Sequence, residues 1–225
     1  NSRISLSNND GNTSNTVFGK NAFVDDSQAV LGDVGADYNV AIGELAMGTG
    51  DTTNATYNTA VGHKSLEDIT SGDYNTAVGN FSGDNLTTGQ YCTLIGNGAG
   101  RGLLVTTAGD GTTAVGYGAL NIVTATGNTA VGFNAGATLT TGERNTIVGY
   151  TALDAASTET DDNVAIGFNA MGGSIIAEAV NDCVAVGSDA LSGALDAASS
   201  GSVGIGKSAL TALTSGTGNT AVGYS

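Results

Sequence analysis

Polar and apolar positions along this chain fall into one short pattern that returns twelve times. A polar residue is followed by Thr or Val, a usually small residue, then Val, Ile or Phe, then Gly. Examples are Asn58-Thr59-Ala60-Val61-Gly62, Asn75-Thr76-Ala77-Val78-Gly79, Asn128-Thr129-Ala130-Val131-Gly132 and Asn219-Thr220-Ala221-Val222-Gly223. β-Branched residues at alternate positions predict a short strand. Gly, Thr, Asn and Val form helices poorly, so a helix of this composition is not expected. The closing glycines are Gly19, Gly43, Gly62, Gly79, Gly96, Gly116, Gly132, Gly149, Gly167, Gly187, Gly206 and Gly223. They are 16 to 24 residues apart. A heptad coil does not tolerate such drift, whereas a solenoid absorbs it in turns along one edge.

The residues after each glycine form further columns. Three positions on stands Ala or Ser: Ala22, Ala46, Ser65, Ser82, Ala99, Ala119, Ala135, Ala152, Ala170, Ala190 and Ala209. An apolar residue or Gly follows, such as Leu66, Leu120, Leu153, Leu191 and Leu210, and a third apolar column holds Ile69, Leu86, Leu103, Val123, Leu139 and Leu213. Corners such as Thr87-Thr88-Gly89 and Thr140-Thr141-Gly142 come next. Each repeat is therefore expected to run strand, turn, short second strand, turn. The fold class is all-β, a parallel β-solenoid of the β-roll kind. About twelve short rungs occupy 15–225, with 1–14 as an N-terminal junction or cap. At about 4.8 Å per rung the stack would be a rod on the order of 55 Å long. Gly62, Gly79, Gly116, Gly132, Gly149 and Gly167 should hold turns with φ > 0 or a close approach of two backbones. Asn15, Asn39, Asn58, Asn75, Asn128, Asn145, Asn163 and Asn219 form a column that predicts a ladder of side-chain amides. The Thr column predicts a ladder of hydroxyls.

Composition adds a second constraint. Glycine supplies 36 of the 225 residues, Pro and Trp are absent, and aromatics are 5%. A coil of this length encloses a thin core of small side chains, which stabilises poorly alone and favours several chains packed side by side. The lack of proline fits a structure in which almost every N–H joins a ladder. The net charge of −15 disfavours nucleic acid and anionic membrane surfaces as partners. Most acids lie in the variable turns, including Asp25, Asp26, Asp33, Asp37, Asp110, Asp161 and Asp162. They read as a solvated rim that opposes lateral aggregation. Weak divalent-cation binding between turns is the other reading, but the Asp spacing of calcium solenoids is missing and no metal is assigned. No stretch reaches the length of a membrane span, and no signal peptide is visible, so membrane insertion is not expected. The chain begins at Asn1 without Met and stops two residues after its last signature glycine. A processed or partial segment of something longer is expected.

Candidate chemistry is sparse. The one histidine, His63, follows a signature glycine in a column otherwise holding Lys20, Glu44, Asn80, Tyr117 and Phe133, which reads as a surface position. Gly96-Asn97-Gly98-Ala99-Gly100 is a weak phosphate-loop match with no helix expected after it. No catalytic residue, cofactor or metal ligand is assigned, and an enzyme is not expected. Cys92 and Cys183 both occupy the Asn column, in the fifth and tenth rungs. Five rungs separate them by roughly 24 Å, while a disulfide needs Cα atoms within about 7 Å. They are expected to remain unbridged thiols. Tyr117, Phe133, Tyr150 and Phe168 follow the glycine in four consecutive rungs, with Tyr224 later. This column is a candidate glycan-contact strip, or else packs between chains or over a turn. Glycosylation sequons at Asn12, Asn54, Asn80 and Asn85 are of the kind that an Asn- and Thr-rich chain produces by composition.

The stretches Thr113-Ala114-Val115-Gly116-Tyr117-Gly118-Ala119-Leu120 and Asn145-Thr146-Ile147-Val148-Gly149-Tyr150-Thr151-Ala152-Leu153 resemble the repeat of bacteriophage tail-fibre proteins, notably of marine phages. The opening Ser2-Arg3-Ile4-Ser5-Leu6-Ser7-Asn8-Asn9-Asp10 is also similar to segments of such fibres. The Ala-Val/Ile-Gly-x-x-Ala/Ser core further resembles the β-roll head of trimeric autotransporter adhesins. These resemblances imply a side-by-side homotrimer on a virion tail or another extracellular surface. The implied function is a structural shaft that presents or contributes to host attachment, with a surface glycan or protein as receptor. A bacterial adhesin head binding glycan or matrix, and a self-assembling extracellular filament, are the competing readings. An ice-binding Thr face is a fourth, disfavoured by the uneven rung lengths.

Overall fold

The computed structural model describes residues 4–5, 14–23, 36–49, 52, 54–102, 110–122, 124–155, 159–173, 175 and 179–224. They form two compact units, Asn1–Thr112 and Thr113–Ser225. Each is an all-β parallel solenoid whose rungs carry one three-residue strand apiece. The first unit holds β1 (Ile4–Ser5), β2 (Thr16–Phe18), β3 (Val40–Ile42), β4 (Thr59–Val61), β5 (Thr76–Val78) and β6 (Thr93–Ile95). The second holds β7 (Thr113–Val115), β8 (Thr129–Val131), β9 (Thr146–Val148), β10 (Val164–Ile166), β11 (Val184–Val186), β12 (Val203–Ile205) and β13 (Thr220–Val222), with one 3-10 turn at Ala197–Ser199. The junction segment departs from the repeat. Its β1 pairs antiparallel with β2, placing Ile4 opposite Phe18. No helix among the described residues is long and apolar enough to cross a membrane.

Parallel pairing runs in strict register although rung lengths differ. Thr59 lies beside Thr76, Ala60 beside Ala77 and Val61 beside Val78. In the second unit Thr129 lies beside Thr146 and Val131 beside Val148. The Thr59 N–H donates to the Asn75 carbonyl of the next rung, while the Gly62 N–H donates back to Ile42. In β2 to β12 the middle residue points inward. Ala41, Ala60, Ala77 and Leu94 are fully buried in the first unit, as are Ala130, Ile147, Ala165 and Ala185 in the second.

The expected second strand is replaced by a turn, because the apolar residue four after each glycine takes a left-handed conformation. Met47, Leu66, Leu120, Leu153, Met171 and Leu191 all have φ between 46° and 50°. These side chains nevertheless reach the core and are completely buried. Left-handed residues alternate with others, so N–H and C=O groups still point along the stack. Leu66 donates to Ser82 and Lys64 to Glu44, giving the turns a ladder of their own. The small column of Ala and Ser is buried beside them, and Ile69, Leu86 and Leu139 complete the core. Leu103 and Val123 lie outside the described residues. Volume is traded between rungs: a Cβ on Gly83 would come within 2.6 Å of Leu94 Cδ1, and one on Gly136 within 2.8 Å of Ile147 Cδ1. A larger strand residue thus fits where the adjacent rung has glycine.

Two backbone-level devices fix the register. At Gly62, φ is +140° and an added Cβ would sit 2.2 Å from the Gly79 carbonyl oxygen, so both expected reasons for the signature glycine hold together. The same contact recurs at Gly132 against Gly149 and at Gly149 against Gly167. The Asn column is the second device. Asn58 Oδ1 accepts from the Asn75 N–H and from its side-chain amide, each at 3.0 Å, while Asn58 Nδ2 donates to the Gly72 carbonyl at 2.8 Å. Asn128, Asn145 and Asn163 repeat the arrangement in the second unit. All are at most 1% exposed, so each amide replaces water for backbone groups of the next rung. Truncating one strands a buried N–H and a buried carbonyl, a cost of about 2–4 kcal/mol. Asn58→Ala should lower the urea midpoint accordingly without changing the far-UV circular dichroism of the folded state.

Candidate functional site: an outward sheet face and two aromatic ladders

Outward positions follow from the same alternation. In each rung the first and third strand residues leave the core, so Thr or Val and then Val, Ile or Phe line one face. In the first unit Phe18, Ile42, Val78 and Ile95 are exposed large apolar residues; in the second they are Val131, Val148, Ile166, Ile205 and Val222. Each unit therefore carries an apolar column next to a Thr/Val column, both at rung spacing. Isolated apolar residues on a surface are ordinary, but a contiguous column is not.

Each unit also carries one aromatic ladder, on different sides of the strand. In the second unit Tyr117, Phe133, Tyr150 and Phe168 stack at 5.2, 4.9 and 5.7 Å with interplanar angles of 9–12°. Sequence reasoning identified this column but not its geometry. Rings stacked on one another turn their faces to their neighbours, so a glycan has no open face on Phe133 or Tyr150. The column packs within its own chain and leaves ring edges outward, available to another chain.

The first unit has a ladder that sequence reasoning missed. Tyr38, Tyr57, Tyr74 and Tyr91 stand one residue before the Asn column and stack at 4.8, 5.0 and 5.3 Å, within 6° of parallel. All four have φ between 58° and 62°. The corresponding positions in the second unit include Gly127, Arg144, Asp162, Asp182, Gly201 and Gly218, again all left-handed. A left-handed non-glycine residue costs roughly 1–2 kcal/mol. Each stacked pair returns about 0.5–1.5 kcal/mol beyond its burial. With four left-handed tyrosines and three stacked pairs, stacking offsets only part of the strain. The signal was present in the sequence, since four of the seven tyrosines occupy this column.

The acidic turns are more structured than a solvated rim. Asp73 Oδ1 accepts from the Thr56 N–H and hydroxyl at 2.7 Å, Asp110 from the Gln90 N–H and Asp161 from the Glu143 N–H, both at 2.8 Å. A second side-chain ladder thus runs two positions before the Asn column. Asp162 pairs with both Nε and Nη2 of Arg144. Asp25, Asp26 and Asp33 lie outside the described residues. Among the described residues no three His, Cys, Asp or Glu side chains converge as metal ligands. His63 Nδ1 lies 3.0 Å from Asn80 Oδ1, and its ring meets Phe81 edge-on.

No disulfide joins Cys92 and Cys183, which are both buried. Their N–H groups take the amide oxygens of Asn75 and Asn163 at 2.9 Å, so each receives the ladder from the preceding rung. Burial pushes the Cys92 thiol up to about 12 and also raises that of Cys183. The protonated thiol is a poor nucleophile.

The chain matches no family model, no curated protein and no solved structure in these comparisons. The thiol chemistry is directly testable: native protein at pH 8 should leave 5,5′-dithiobis(2-nitrobenzoic acid) unreacted, and the same protein in denaturant should titrate two thiols.

Proposed function

We propose that this chain is a shaft segment of a phage tail fibre or similar surface appendage, working as a side-by-side homotrimer. The observation that carries this reading is the outward apolar column in each unit. Phe18, Ile42, Val78 and Ile95, and separately Val131, Val148, Ile166 and Ile205, repeat at rung spacing beside half-exposed Thr and Val. A surface periodic at the strand spacing is matched along its length by an object of the same period, and a second copy of the chain provides one. Burying β-branched side chains between copies would supplement the thin core of each coil, at about 25 cal/mol per Å² of apolar surface removed from water. The stacked rungs act mechanically, holding an attachment element away from a particle. Three parallel copies of every surface column offer weak contacts to a host-cell glycan or protein that add by multivalency. Location on a virion or cell exterior belongs to the same proposal, and catalysis does not.

Solution mass by light scattering tests it. The expected value is near three times the 22.0 kDa of one chain. Val78→Asp with Val131→Asp should return the chain to monomers while leaving far-UV circular dichroism intact, because both side chains point outward. A clean monomer for the unaltered chain would overturn the assembly. A very large, concentration-dependent mass would replace it with an open filament.

A further inference from the structure

The tyrosine ladder of the Asn1–Thr112 unit sets four phenols side by side, and its chemistry does not depend on the fibre reading. Tyr38, Tyr57, Tyr74 and Tyr91 stack at 4.8, 5.0 and 5.3 Å, within 6° of parallel, and are 48–61% exposed. The chain has no Trp, and both Met and both Cys are buried, so a one-electron oxidant in solution meets tyrosine first. A phenol that gives an electron to the oxidant and its proton to water becomes a phenoxyl radical, with spin on the ring carbons ortho to the oxygen. Two such radicals couple through those carbons. Each coupled carbon then releases its hydrogen as a proton while the oxygen takes one back. In all, two phenols lose two electrons and two protons, two C–H bonds break and one carbon–carbon bond forms.

Neighbouring rungs supply the second radical at close range. A partner held at stacking distance acts at an effective concentration far above that of another chain in dilute solution. Coupling requires the rings to slide and twist out of the stack, and a half-exposed ring has solvent on one side into which to move. The second unit lacks this arrangement although its tyrosines are as exposed. Tyr117 and Tyr150 are 56% and 52% exposed, but Phe133 stands between them, 5.2 Å from one ring and 4.9 Å from the other. Phenylalanine has no hydroxyl to give up and forms no phenoxyl radical. Among the described residues, phenol is stacked on phenol in the first unit alone.

We propose that Tyr38, Tyr57, Tyr74 and Tyr91 are an oxidative cross-linking site, where one-electron oxidation joins neighbouring rungs of one chain as dityrosine. Each bond would close a loop spanning 17 or 19 sequence positions and keep two rungs together in the unfolded chain. The oxidant for the test is photogenerated ruthenium(III) tris-bipyridine, with persulfate as the final electron acceptor. Dilute chain is oxidised briefly, then read by dityrosine fluorescence, denaturing electrophoresis and tandem mass spectrometry of its peptides. The expected peptides join Tyr38 to Tyr57, Tyr57 to Tyr74 or Tyr74 to Tyr91, each lighter by two hydrogens than its parts. Tyr117 and Tyr150 should stay unlinked, and the chain should keep its single-chain mass in the gel. Tyr57→Phe with Tyr91→Phe copies the alternation of the second unit, so the fold should survive. The yield of dityrosine should fall at least about tenfold, because separated phenols lose their effective concentration. Phe133→Tyr is the converse and should draw Tyr117 and Tyr150 into cross-links. The proposal is overturned if the unaltered chain gives no dityrosine under conditions that couple free tyrosine. Cross-links that run only between chains, or an undiminished yield in the double phenylalanine variant, would overturn it equally.

Discussion

Strict in-register stacking governs everything else in this molecule, and the buried asparagine column enforces it. An amide at 0–1% exposure that bonds both a backbone N–H and a backbone carbonyl of the next rung has one acceptable register. A slip of one residue would leave several buried polar groups without partners, a cost comparable to the whole stability of a small domain. The glycine contacts impose the same register sterically, since Gly62 and Gly79 meet where no Cβ fits. Once neighbouring rungs are locked, like residues must lie above like residues, and every column becomes a surface or core feature with the strand spacing as its period.

That constraint explains how a chain with so small a core closes its coil. Aromatic side chains are almost excluded from the interior, where Phe23 is the exception. Leu and Met fill it from left-handed turn positions. Left-handed backbone is costly for β-branched residues. Accordingly the column holds Phe23, Met47, Leu66, Gly83, Gly100, Leu120, Gly136, Leu153, Met171, Leu191 and Leu210, and no Val, Ile or Thr, in a chain rich in all three. Most strand Val and Ile stand at the first and third positions and point outward, while Val17 and Ile147 face in and Ile69 is buried outside the strands. The usual assignment of β-branched residues to the core is thus largely inverted: mostly small strand residues face in, and larger ones form the exposed column on which the proposed assembly rests.

Repetition also makes the described surface a set of continuous columns. The single histidine and the two thiols are placed as structural or surface groups. The features that remain are extended: an apolar column, a Thr/Val column and an aromatic ladder in each unit. Any contact they make would be repeated many times along the strand spacing.

The repeat itself was legible without coordinates. Signature glycines, the asparagine ladder, the parallel stacking and the unbridged cysteines follow from column identities, because an in-register solenoid makes sequence columns into spatial columns. The turn after each glycine was not legible as a turn. Leu66 and Leu153 are apolar and spaced like strand residues, and only their left-handed backbone separates them from one. The tyrosine column was present in the sequence, yet its meaning depended on geometry. Whether Tyr57 offers a face or an edge is decided by ring orientation, and that is set by the distance and angle to Tyr38 and Tyr74. Column membership is a one-dimensional property that the chain carries by itself. The direction in which a side chain points, and what its neighbours cover, arise only when the rungs are stacked.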